Sequence, residues 1–337
     1  MQEISRIGLD TSKYMFQVYG VNASEQPVLC RSLRRGQVER FFASLPATVV
    51  GLEACGAAHY WARLLQSLGH EVRMLPPQYV RPYVKRGKND AADAEAICEA
   101  MSRPRMRFVP IRSKQNQADL MLLSARDLLM KQRTMLINAI RAHAAEFGLI
   151  CRKGSSGVAA LRALIADGGE IPPVAHDVFA HLLEQLDSLE RQLDALESKV
   201  RTWHRGNERS RRLATIPGIG PIGASALAMN VPDWTVFKSA RHFAAWLGLT
   251  PKDHSSGGRR RMGGISRAGD EALRRILVSG AMAMVKYARP GRSSPWLIKL
   301  LKRKPKKLAA VALANKNARV AWALMTREEY YRRLLPA

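Results

Sequence analysis

Apolar positions in the N-terminal part of the chain switch repeatedly between the two-residue spacing of a strand and the three-to-four-residue spacing of a helix. ISRIGLD, YMFQVYGV and PVLCRSL read as three strands, QVERFFASL has helical spacing, and ATVVGLEA is an apolar run of the buried-strand kind. HYWARLLQSLG is a helix closed by Gly69, HEVRMLPP a strand stopped by Pro76 and Pro77, and DAADAEAICEAMS a helix that starts at its own acidic end. Three strands followed by helix and strand in alternation predict an α/β domain over residues 1–110.

After Pro110 the spacing becomes helical and stays so. Leu122, Leu129, Leu136 and Ile140 lie on one long repeat, and Leu182, Leu186, Leu189, Leu193 and Leu196 on a second at alternating spacings of four and three. This is a coiled-coil seam over residues 111–210; an antiparallel hairpin and a dimerisation arm both satisfy it. The piece between, KGSSGVAALRALIADGGEIPP, reads as a connector with a short helix. Residues 211–337 form a third, mainly helical region. In it LATIPGIGPIGASALAMNV has the glycine turn of a helix-hairpin-helix, where Gly218 and Gly220 would let backbone amides approach a phosphate. Between SARHFAAWLGL and EALRRILVSGAMAMV lies TPKDHSSGGRRRMGGISRAGD, a loop rich in Gly, Ser and Arg, and the chain closes in a basic, partly helical tail.

Charge changes this picture more than composition does. The 337 residues, 47% hydrophobic, are enough for two or three real cores, but the formal net charge of +26 exceeds what solubility needs and points to a polyanion, nucleic acid by default. From Gly257 onward 20 Lys and Arg face 4 Asp and Glu, so that stretch carries +16 of the excess. Cys30, Cys55, Cys98 and Cys151 are far apart with no CxxC pair, which argues against zinc and for core thiols in a reducing compartment. No signal peptide and no membrane-spanning run is evident, and Lys316 and Arg319 break the most apolar C-terminal stretch, so a cytoplasmic protein is expected.

Against this basic background four acids stand out by placement: Asp10 after the first strand, Glu53 after TVVGL, and Asp90 and Asp93 at a helix start. Asp90 and Asp93, three residues apart, share a helix face and could simply complement the helix dipole. Glu53 ends an apolar strand, where an unpaired charge is expensive. One use accounts for all four: hard divalent cations, Mg2+ or Mn2+, take such oxygen ligands and can clamp the attacking and leaving oxygens of a phosphodiester. Lys88, just before Asp90, is a phosphate-binding candidate.

GLDTSK, GLEACG and KNDAADAEAI, in that order over this pattern of elements, resemble the RuvC-like, ribonuclease-H-type DEDD domain of transposases. IPGIG, FAAWLGLTP, SSGG, GGISRAGD and LRRIL resemble the second domain of transposases of the insertion-sequence 110 family, especially its 1111 branch. The resemblance covers almost the whole chain. It implies a metal-dependent site at Asp10, Glu53, Asp90 and Asp93 and a serine nucleophile at Ser256, with Ser255 the close alternative. It also implies an element-encoded structured guide RNA that pairs with target and donor DNA. A homo-oligomer, dimer or tetramer, would join the acids of one subunit to the serine of another. The chemistry is reasonable in its own right. A serine oxygen attacking phosphorus needs neutralisation of the transition state, and Arg259, Arg260 and Arg261 are close in sequence. The alternative is a flexible phosphate-binding loop whose serines only donate hydrogen bonds. Arg267 and Arg274 are further phosphate candidates, Asp270 a helix cap, and Lys302, Arg303 and Lys304 the densest part of the basic tail. Trp234, Phe237, Phe243 and Trp246 suit packing rather than base stacking.

Four function classes follow: a DNA recombinase of a mobile element, nucleoid-associated when bound to DNA; a RuvC-like nuclease or resolvase using water; a non-catalytic helix-hairpin-helix binding protein; and an actin-like sugar kinase. The charge and the absence of a Gly-rich adenosine motif count against the last.

Overall fold

The computed structural model describes residues 3–84, 90–167, 171–259 and 261–332, with only the backbone of Asp90 and Ser155. By internal contacts the chain divides into two units, Met1–Gln117 and Ala118–Ala337.

The first unit is a mixed five-stranded sheet covered by helices. Strands β1 (Arg6–Thr11), β2 (Met15–Val21) and β3 (Pro27–Arg34) form an antiparallel meander; α1 (Val38–Ala43) leads to β4 (Val49–Glu53), and α2 (Ala58–Ser67) to β5 (Glu71–Leu75). The order is β3-β2-β1-β4-β5, with β4 and β5 parallel to β1. Alternation along the strands sorts side chains between two faces. Ile7, Leu9, Val50 and Leu52 join Val38 and Phe42 of α1 and Trp61 and Leu65 of α2 in one core. The other face is covered by α4 (Asp90–Met101), reached through the single-turn helix α3 (Pro77–Val80); Ile97, Cys98 and Met101 pack there with Leu75 and Val80. Strand and helix positions agree with those expected from periodicity.

Among the described residues the second unit is helical apart from one hairpin. Helices α5 (Lys114–Glu146), α6 (Ser155–Ala166) and α7 (Pro173–Gly206) share a core of Leu136, Ile140, Leu161, Phe179, Leu186 and Leu189. Contacts within this unit run Asp119 to Trp203 (3.0 Å), Arg126 to Glu197 (2.5 Å) and Phe147 to Phe179, so α5 and α7 are antiparallel. Of the two arrangements open from sequence, the leucine seam of α7 therefore faces its own chain in a hairpin.

A second core unites α8 (Glu208–Ala214), α9 (Pro221–Asn230), α10 (Ala240–Trp246), α11 (Glu271–Lys286), α12 (Pro295–Leu301) and α13 (Lys306–Arg327). Trp234, Phe237 and Phe243 are buried with ring centroids 4.8–5.0 Å apart, the packing role expected of them. The closing stretch is basic and helical, as expected, and it also has a packing role. Ala310, Leu313, Ala314, Ala318, Ala321 and Leu324 of α13 are buried in this core, so that stretch is structural and only its outer face carries charge. The expectation of core thiols needs a correction. Cys98 is buried, but Cys30 and Cys55 are exposed rather than core thiols.

Candidate active site

Gly8 and Gly51 set the geometry of the acidic face. A Cβ built at Gly8 would lie 2.1 Å from the Ala94 carbonyl oxygen and 2.6 Å from the Cys98 nitrogen, and one at Gly51 would lie 2.7 Å from Met101 Sδ and 3.0 Å from Ile97 Cγ2. The bare backbone at both positions lets α4 lie directly on β1 and β4. Two residues onward from these glycines, roughly 6.6 Å along a strand, are Asp10 and Glu53. Four residues back from Ala94 and Ile97, roughly 6 Å along a helix, are Asp90 and Asp93. The spacing of the four acids thus matches the packing of one helix on two adjacent strands. Because Leu9 pairs with Leu52, Asp10 and Glu53 come next to each other at the C-terminal ends of parallel strands, where α/β sheets bind their ligands.

Asp10, Glu53 and Asp93 are all half-buried. Burial, and then the negative charge of Asp93, push the Glu53 carboxyl above the usual glutamate range. Thr11 Oγ1 and Cys55 Sγ, 3.3 Å apart, link the ends of β1 and β4 beside them. Among the described residues no three His, Cys, Asp or Glu side chains close into a metal-holding group. The side chain of Asp90, expected as the fourth acid, lies outside the described residues, as do Lys88 and Arg260. The donor chemistry fits a hard divalent cation: carboxyl oxygens on one face, two of them repelling.

The serine loop folds as a β-hairpin, β6 (Pro251–Asp253) against β7 (Met262–Ile265). Ser256 and Arg259 bridge at its tip, where the Arg259 amide donates to the Ser256 carbonyl at 3.0 Å. Between them Gly257 and Gly258 have φ of 55° and 74°, the left-handed pair a two-residue hairpin turn demands. The two serines differ. Ser255 Oγ donates to Asp253 Oδ1 and accepts from the Arg261 amide at 3.1 Å, so its hydroxyl is tied into the hairpin. Ser256 is exposed, and its hydroxyl makes no hydrogen bond among the described residues. Arg259, Arg261 and Arg267 are exposed as well.

Other expected nucleic-acid positions have visible structural uses. Gly218, with φ of 89°, meets α11 where a Cβ on Gly280 would stand 1.8 Å from the Gly218 oxygen; Gly220 precedes α9 with open space around it. Arg274 Nη1 donates to the carbonyls of Leu247 and Ala268, both at 3.1 Å, while Asp270 caps α11 through the Leu273 amide at 2.9 Å. Lys302, Arg303 and Lys304 are exposed in the turn between α12 and α13. Sequence reasoning missed Asp253, which locks Ser255, and Gly8 and Gly51. The D-x-S spacing of an Asx turn signals the first; the glycines gave none, because their partner is a distant helix.

The α/β unit with its half-buried carboxylates lies within a match to the DEDD class of DNA-processing enzymes. Residues 7–148 match the DEDD transposase model of IS110 elements, and residues 210–295 the model described as Transposase IS116/IS110/IS902 family. The chain is 55% identical to "Putative transposase y4pF/y4sB" of Sinorhizobium fredii, over 98% of this chain and 87% of the relative. It is 38% identical to the transposase for insertion sequence element IS1328 of Yersinia enterocolitica (97% and 98% covered) and 36% to that for IS1111A of Coxiella burnetii (98% and 92%). The chain belongs to the IS110 family of transposases, enzymes that cut and rejoin DNA. DEDD domains of this kind generally use divalent metal ions. Among the described residues no helix is long and apolar enough to cross a membrane.

Proposed function

We propose that the protein transposes its element through a covalent serine-DNA intermediate, with Ser256 as nucleophile and Asp10, Glu53, Asp90 and Asp93 holding Mg2+ or Mn2+. The observation that carries this reading is the contrast within the hairpin: Ser255 is bonded on both sides, while Ser256 stands exposed at the tip with its hydroxyl uncommitted among the described residues. Ser256 Oγ attacks phosphorus, a serine O–P bond forms as the bond to one deoxyribose oxygen breaks, and that oxygen leaves as a hydroxyl, taking up the equivalent of the serine proton. One phosphodiester replaces another, so the reverse attack rejoins the strand without an energy source. A bound cation would supply charge neutralisation at the phosphoryl oxygens. Arg259, Arg260 and Arg261 would add to it from the hairpin.

The strand order β3-β2-β1-β4-β5 supports a ribonuclease-H, RuvC-like assignment for residues 1–110, and the α8–turn–α9 unit a helix-hairpin-helix in residues 211–337, with 111–210 as the connecting coiled coil. Gly218, Gly220, Lys88, Arg267, Arg274 and the Lys302–Lys304 cluster are proposed to follow the phosphate backbone. Sequence choice is assigned to a structured guide RNA, on the family resemblance. Met121, Leu128 and Met135 recur every seven residues on α5 and are each more than half exposed, which supports a homo-oligomer. The cytoplasm, on the nucleoid, is the place of work.

The test is a trap for the intermediate. Nicked DNA incubated in magnesium should yield denaturant-resistant adducts attached at Ser256. Ser256→Ala should abolish adduct and recombination, while Ser255→Ala slows both without moving the attachment. Attachment elsewhere, or an active preparation without adduct, leaves water as the nucleophile.

A further inference from the structure

Within the second unit a cavity of about 790 Å3 opens between the β6–β7 hairpin, α10, α12 and α13. Its lining is largely apolar, and it exposes two large side chains to water, Trp296 (39% exposed) and Leu308 (51%). Among the described residues no carboxylate lines it. Lys316 and Arg319, one helical turn apart on α13 and both exposed, supply its charge, and Lys316 Nζ stands over the Trp296 ring, 4.5 Å from the centroid. One wall is the hairpin that carries Ser256. Gly264 of that wall presents bare backbone: a Cβ there would meet nothing within 4 Å.

An occupant must offer a flat apolar face and negative charge together. The net +26 of a second copy offers Lys316 and Arg319 no complementary charge, so the homo-oligomer proposed through α5 does not account for this groove, and an apolar peptide gains nothing from them. Duplex DNA offers the charge but keeps its bases stacked. A nucleotide with its base unpaired offers both, and an aromatic beside cations is how single strands are held. Exchanging strands requires base pairs beside the cut to open. We infer that this groove holds an unstacked base of the DNA strand next to the phosphodiester attacked from the hairpin, with Trp296 as stacking surface and Lys316 and Arg319 on its phosphates. The position next to the cut rests on Ser256 being the nucleophile; the base site does not.

The experiment uses the full chain carrying Ser256→Ala, so that cleavage plays no part in the readout. The probe is a DNA duplex with a short single-stranded gap containing iodouracil, photocrosslinked and mapped by peptide mass. Crosslinks should fall on Trp296. Trp296→Ala should weaken gapped-DNA binding about tenfold and leave fully paired duplex unaffected. Gly264→Val, which adds a side chain at a groove-lining position with free space, should do the same with an unchanged melting temperature. Crosslinks outside the groove, equal losses on gapped and paired DNA, or preferential capture of an iodouracil RNA would overturn the inference. Failure of the serine mechanism would appear instead in the adduct trap, with the crosslink unaffected.

Discussion

Replacing Gly8 by alanine puts one methyl group where α4 already lies. Its Cβ would be 2.1 Å from the Ala94 oxygen and 2.6 Å from the Cys98 nitrogen, against comfortable contact at about 3.5 Å. Both obstacles are backbone, so no rotamer relieves them and the helix must retreat by on the order of 1 Å. Overpacking of this kind costs about 1–3 kcal/mol. The larger effect falls on chemistry, because α4 begins at Asp90 and carries Asp93: a misplacement of about 1 Å costs roughly 100-fold in rate. Gly51→Ala is the control. Its Cβ meets Met101 Sδ at 2.7 Å and Ile97 Cγ2 at 3.0 Å, and a thioether end can swing aside, so less than about tenfold is expected. Single-turnover cleavage in magnesium, alongside melting and DNA binding, reads all three quantities. A Gly8→Ala protein that folds, binds and cleaves at the wild-type rate would refute the claim that α4 must sit on this sheet for the acids to work together.

Two further expectations concern Glu53 and the turn between α12 and α13. Glu53→Gln should abolish cleavage yet raise the metal-free melting temperature at neutral pH. Burial and Asp93 raise the Glu53 pKa, so its ionisation disfavours folding; that penalty is absent below the ordinary glutamate value, grows as pH rises through it and is full above the folded value. The gap between variant and wild type should therefore close on acidification, and a gap that widens as pH falls would contradict it. Charge reversal of Lys302, Arg303 and Lys304 should flatten the salt dependence of DNA binding by about 0.9 in slope for each residue that meets a phosphate, with folding intact because all three are exposed. An unchanged slope assigns that turn to solvent.

Most of the first unit was legible because its strands alternate cleanly and its helices begin and end on turn residues. Asp10 and Glu53 stood out because a carboxylate after an apolar strand is conspicuous, and the strand register sets the two side by side. What escaped depends on contacts distant in sequence. Nothing in GLD or VGLE says that a helix begun at Asp90 will cross them, so Gly8 and Gly51 passed unnoticed. The Gly257-Gly258 turn was visible, but its flanks lack apolar alternation and the hairpin read as loop. In α13 the signal was present and outweighed: buried positions at 309, 310, 313, 314, 317, 318 and 321 trace one helical face, mostly in alanines, while the lysines beside them drew attention to charge.

That last helix governs when the enzyme can exist at all. Its buried face completes a core that starts at Leu213, and Tyr331 beyond it donates its amide to Thr215 Oγ1 at 3.1 Å. A ribosome must therefore deliver more than a hundred residues after Leu213 before this core can close. A message cut short between Ser256 and the end of α13 leaves the hairpin on a chain whose core cannot close, so such a copy of the gene lacks a folded second unit.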